Sequence, residues 1–64
     1  MARDYHATKY FSHGIGHIEA REGGTGRLLI SFYHTAAGGR VSQRWANTVK
    51  DGRQALSALA REAR

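Results

Sequence analysis

Sixty-four residues suffice for one domain with a small core, about what one sheet face covered by one helix can enclose. The chain has no cysteine, which excludes disulfides, thiolate zinc sites and a cysteine nucleophile, and its longest apolar run, Leu28-Leu29-Ile30, is far too short for a membrane span. Ten Lys and Arg against five Asp and Glu give a formal charge of +5, and the cations are mostly arginine, whose planar fork suits bidentate contact with phosphate or guanine; the bland counterpart is a charge that only keeps the protein soluble.

The N-terminus carries charge and aromatics rather than an apolar leader, so a cytoplasmic protein is expected. Residues 5–11 are strand-like in composition and serve either as a fourth, edge strand or as an arm, so that 1–14 stands apart from the rest of the domain. Glycine clusters at 23–26 and 38–39 separate alternating runs, which predicts a β-meander over 15–46 with strands near 15–22, 27–34 and 40–46. From Thr48 the pattern changes to helical spacing. Thr48-Val49-Lys50-Asp51 has the shape of a capping box, and Ala55, Leu56, Leu59, Ala60 and Ala63 form one stripe of a helix over 48–63. Gly52 in its first turn weakens it by about 1 kcal/mol relative to alanine. The fold class is therefore α+β: a three-stranded antiparallel sheet, four-stranded if residues 5–11 join it, with one C-terminal helix packed on one face.

Alternate residues of a strand face opposite sides, so each strand divides into two sets. Leu28, Ile30 and Phe32, Gly16, Ile18 and Ala20, and Val41 with Trp45 assemble into a side covered by the helix. The other side then carries His17, Glu19 and Arg21, Arg27, Leu29, Ser31 and Tyr33, and Arg40, Ser42 and Arg44. Such an arginine-rich ribbon fits the major groove of DNA, with arginine on guanine and Ser and Tyr on phosphates or base edges. Leu29 is out of character there: it signals a thymine-methyl contact, a strand buried on both sides, or a register slipped by one.

The run from His17 to Ala63, with its Gly-rich turns, "GGR" leading into the third strand, an aromatic near that strand's end and then "NTVKDGRQALSALAREA", resembles the N-terminal arm-type DNA-binding domain of phage and transposon tyrosine integrases. The resemblance covers about three quarters of the chain and is one of pattern and element order. It implies a three-stranded sheet on a C-terminal helix, laid into the major groove, with Arg21, Arg27, Arg40, Arg44 and Tyr33 toward the DNA. Integrase arms begin a longer protein whose catalytic domain supplies a tyrosine nucleophile, for which this chain has no counterpart. The chain is then either a free-standing small regulator or accessory factor, or a piece of a longer protein.

Four histidines, His6, His13, His17 and His34, raise a metal site. His13-x-x-x-His17 has helical chelate spacing, but Gly14 and Gly16 argue against a helix, and in a strand positions four apart lie about 13 Å from one another. Solvent-exposed or hydrogen-bonding histidines are the expectation, with no metal and no cofactor. The run Gly23-Gly24-Thr25-Gly26-Arg27 lacks the Lys-Ser/Thr ending of a phosphate loop and reads as a hairpin turn. Ser12, Ser31, Ser42 and Ser57, with histidine and Asp4 or Glu19, make a triad only on paper, since one sheet and one helix have little interior for a pocket.

We therefore expect a non-enzymatic binder of double-stranded DNA, as monomer or strand-edge homodimer, contacting it through Arg21, Arg27, Tyr33, Arg40, Arg44, Ser31, Ser42, His17 and Lys9. Tyr5, Tyr10 and Phe11 among His6, Lys9 and His13 suit a basic-aromatic arm equally well as an edge strand. The rival expectation is a small phage-type inhibitor or adaptor, anti-CRISPR-like, that binds a host nucleic-acid-handling protein; RNA binding is a third.

Overall fold

A computed structural model describes residues 6–20 and 26–63. Four strands, β1 (His6–Phe11), β2 (Gly14–Ala20), β3 (Leu28–Tyr33) and β4 (Val41–Ala46), form one antiparallel sheet in the order β1-β2-β3-β4, and the helix α1 (Val49–Glu62) packs across it. Residues 6–11 are thus an edge strand, paired His6 to Glu19 and Phe11 to Gly14 along β2, while residues 1–5 lie outside the described residues. Residues 21 and 22 of the expected first meander strand, and Gly23 to Thr25 of the expected turn, lie outside the described residues.

The β3–β4 connection closes where Gly38 takes φ +85°, a conformation strained for other residues; its N–H donates to Thr35 O at 3.0 Å, and His34 N–H donates to Arg40 O at 2.9 Å. Helix α1 starts where Thr48, in extended conformation, accepts the Asp51 N–H on its hydroxyl at 3.1 Å.

The core lies between sheet and helix: Ile18, Leu28, Ile30, Phe32 and Ala46 meet Leu56, Leu59 and Ala60, with Ala7, Phe11 and Ala20 at its margin. Helix α1 lies over β2, β3 and β4, and two glycines set its distance. A Cβ on Gly52 would stand 2.9 Å from Ile30 Cδ1, so the residue that weakens the helix locally is the one that lets it approach the sheet. Opposite it, a Cβ on Gly16 would meet Leu56 Cδ1 at 2.5 Å and Phe11 Cε2 at 2.6 Å.

Strand β3 keeps the expected division, whereas β4 is reversed. The register sets Leu28 against Ala46, Ile30 against Arg44 and Phe32 against Ser42, so Ser42, Arg44 and Ala46 face the helix side, and Val41, Gln43 and Trp45 the open side. The physical reason is space. Only Asn47 and Thr48 separate β4 from α1, so the last strand residue sits directly under the helix start; alanine fits there, buried, and a tryptophan does not. Trp45 is accordingly 47% exposed on the far side, and Leu29, directly across from it, is only 6% exposed although it faces away from the helix. Strand β3 is buried on both sides, which accounts for Leu29 without a slip in β3.

Candidate nucleic-acid interface

The β4 reversal breaks up the arginine-rich sheet face. Arg44 reaches past the helix and its guanidinium donates to Glu62 Oε2 at 2.9 Å, an exposed ion pair worth little in stability. Ser42 and Arg40 meet at His34 instead of on the open side: Arg40 donates to His34 Nδ1 at 3.4 Å, and His34 Nε2 lies 2.8 Å from Ser42 Oγ. An Nδ1 that accepts from Arg40 leaves Nε2–H to donate to Ser42. The His34 ring stands edge-on to Phe32, 5.3 Å between centroids. Lys9 is also on the helix side, with Nζ 5.5 Å from the centre of the Phe11 ring.

Of the residues expected on the polar side, Arg27, His17, Ser31 and Tyr33 do share the open side, and Arg21 lies outside the described residues. The Arg27 guanidinium stacks over Trp45, 5.2 Å from its centroid. Ser31 is 2% exposed and accepts a hydrogen bond from Gln43 Nε2 at 3.1 Å, so it is a packed residue of the sheet rather than a surface contact.

Cations gather elsewhere. At about 100° per residue, Lys50, Arg53, Gln54, Ser57 and Arg61 fall within one outward arc of α1 with Arg53 at its edge, while Asp51 and Glu62 lie beyond the other edge of that arc, beside Ala55. Glu62 turns to Arg44 on β4, so the acidic edge looks toward β4, whereas Arg53 and Arg61 border hollows shared with β1. Between α1 and β1 runs a cleft of about 290 Å³ lined by Ala7, Thr8, Lys9, Ile18, Arg53, Leu56 and Ser57. A second hollow of about 190 Å³ follows, lined by Phe11, Ser12, His13, Ser57, Ala60 and Arg61, and Lys50 and Arg53 line a third near the helix start. None of the three is lined by a carboxylate among the described residues. The stripe from Lys50 to Arg61 is about 16 Å long at 1.5 Å per residue, enough to follow two or three phosphates of a backbone.

No protein-family model, curated protein or solved structure matches this chain.

The open side has a different character, organised in three cross-strand rows. His6, Glu19, Leu29 and Trp45 make the first, Thr8, His17, Ser31 and Gln43 the second, and Tyr10, Ile15, Tyr33 and Val41 the third. Arg27 and Glu19 are its described full charges, and the third row has none. The basic flank of α1 shows in the 3.6-residue spacing of its cations, but the strand it faces becomes known only with the packing. The helix is too short and too polar to cross a membrane.

Proposed function

We propose that this chain is a small, non-enzymatic nucleic-acid-binding protein that grips a phosphate backbone along the β1–α1 flank, acting in the cytoplasm as a regulator or accessory factor of a phage or mobile element. The supporting observation is the placement of charge: Lys50, Arg53 and Arg61, with Lys9 of β1, line hollows that hold no carboxylate among their described lining residues, while Glu62 turns to Arg44 on the β4 side and Glu19 lies on the other side of the sheet. A polyanion gains from such a strip by releasing its counterions, whatever its sequence.

Two features argue for this flank over insertion of the sheet into a major groove. The open side holds Arg27 as its described arginine, and four strands at about 4.8 Å spacing are about 14 Å across before side chains, wider than a groove of about 12 Å. The test is fluorescence anisotropy of a short labelled duplex and of its single strand at low salt. Replacing Lys9 and Arg61 together by alanine should weaken binding about tenfold for each cation removed, while Arg44→Ala, on the far flank, leaves it unchanged. Wild-type affinity in the double variant, with folding verified by circular dichroism, would overturn the proposal.

The row Tyr10, Ile15, Tyr33 and Val41 favours a second reading, the inhibitor or adaptor. Protein interfaces have centres rich in aromatics and poor in charge, with arginine as an anchor, which matches this side together with Trp45 and Arg27. Absence of nucleic-acid binding in the anisotropy titration would leave this as the stronger reading.

A further inference from the structure

We infer that His6, His17 and Glu19 form a binding site for a divalent transition-metal ion of the Zn²⁺ type on the open side of the sheet. One ligand atom from each of the three lies within 4.8 Å of the other two. His17 and Glu19 are two apart on β2 and so share a side; the antiparallel register places His6 directly across from Glu19 and diagonal to His17. Three residues scattered as His-x10-His-x-Glu are thereby gathered across two strands.

The donor set suits such an ion. Two imidazoles and one carboxylate are the protein ligands of sites that keep a further position for water or an anion. His17 Nε2 stands 3.8 Å from Glu19 Oε2, too long for a hydrogen bond and close to the separation of about 3.4 Å between two ligands of a tetrahedral zinc with bonds near 2.1 Å. The His6 and His17 ring centroids are 6.1 Å apart and the planes tilted by 34°, so both rings can turn toward one point. On the other side of the His17 ring, Nδ1 lies 3.5 Å from Thr8 Oγ1, a weak contact that directs Nε2 toward Glu19, as an outer hydrogen bond does for ligating histidines. The His17 and Glu19 side chains are 25% and 30% exposed, and buried Leu29 pairs with Glu19 on the neighbouring strand, so two of the three ligands are partly shielded from water and held by the sheet. The inference is independent of the nucleic-acid proposal, which concerns the opposite side of the sheet.

The experiment is isothermal titration of the tag-free chain with ZnCl₂ in a non-coordinating buffer, with thermal unfolding followed in parallel. One equivalent should saturate and raise the melting temperature, because the ion ties β1 to β2 in the folded state alone. His6→Ala, at the exposed edge, and Glu19→Gln, which keeps the shape of its residue, should each weaken binding about tenfold or more and remove the thermal shift, whereas His13→Ala, in the β1–β2 turn, should change neither. No saturable binding, or binding that survives both ligand variants, or binding abolished in His13→Ala, overturns the inference. Since the titration contains the metal alone, its failure leaves the nucleic-acid proposal untouched.

Discussion

A single missing methyl at position 16 decides how close α1 comes to the sheet. Gly16 sits between Lys9 and Phe32 in the sheet, and the space its side chain would occupy is filled by both methyl groups of Leu56 and the ring of Phe11. Strand interiors ordinarily gain from replacing glycine, so the local expectation for Gly16→Ala is stabilising. Packing predicts the reverse. Leu56 is 3% exposed and Phe11 is already in an edge contact with Phe32 at 5.6 Å, so neither can yield without disturbing the core. We expect Gly16→Ala to lower the unfolding free energy by about 1–3 kcal/mol, the usual cost of overpacking. Urea denaturation measures it, and a midpoint equal to or above that of the parent chain would refute the close-approach account.

At the scale of elements, α1 depends on its first turn more than its composition suggests, because Gly52 lies there and cannot be replaced without moving Ile30. The Thr48 hydroxyl is the cap that offsets this, accepting the Asp51 N–H. Thr48→Ala should therefore cost about 1 kcal/mol, with Thr48→Asp restoring most of it; equal stability of all three chains by chemical denaturation would show that the cap contributes nothing. The helix and its cap were legible in the sequence because their signals are local: a hydroxyl, an acid three residues on, and a stripe at helical spacing. Glycine punctuation likewise marked the strands. The faces of β4 were not legible. Val41 and Trp45 are its large apolar residues, and their alternation names a set without saying which side that set faces; the two-residue link to α1 and the small space under the helix decide it, through Ala46. The same non-locality hid His6 beside Glu19, since pairing across strands follows from register, while His13 and His17, closer in sequence, are not brought together.

Over the whole molecule, the charges of the described residues are distributed unevenly, and that distribution makes two placements of nucleic acid distinguishable by salt. On duplex DNA each phosphate contact contributes about −0.9 to the slope of log K against log salt. Lys9, Lys50, Arg53 and Arg61, all engaged along the β1–α1 flank, would give a slope of about −3.6, and removing Lys9 and Arg61 should bring it to about −1.8. Trp45→Ala, on the other side of the sheet, should leave both slope and affinity as they were. A sheet-face binder, tested on the single strand whose bases are free to stack, behaves in the opposite way: bases stacked on Trp45 and Tyr33 contribute about 1–3 kcal/mol each with little dependence on salt, so Trp45→Ala lowers affinity equally at every concentration while the Lys9/Arg61 variant keeps its slope. Anisotropy titrations at four or five salt concentrations on the three chains separate the cases, because one predicts a change in gradient and the other a parallel displacement. A parallel displacement for Trp45→Ala with an unchanged gradient for the double variant would transfer the binding surface from the helix flank to the open side of the sheet.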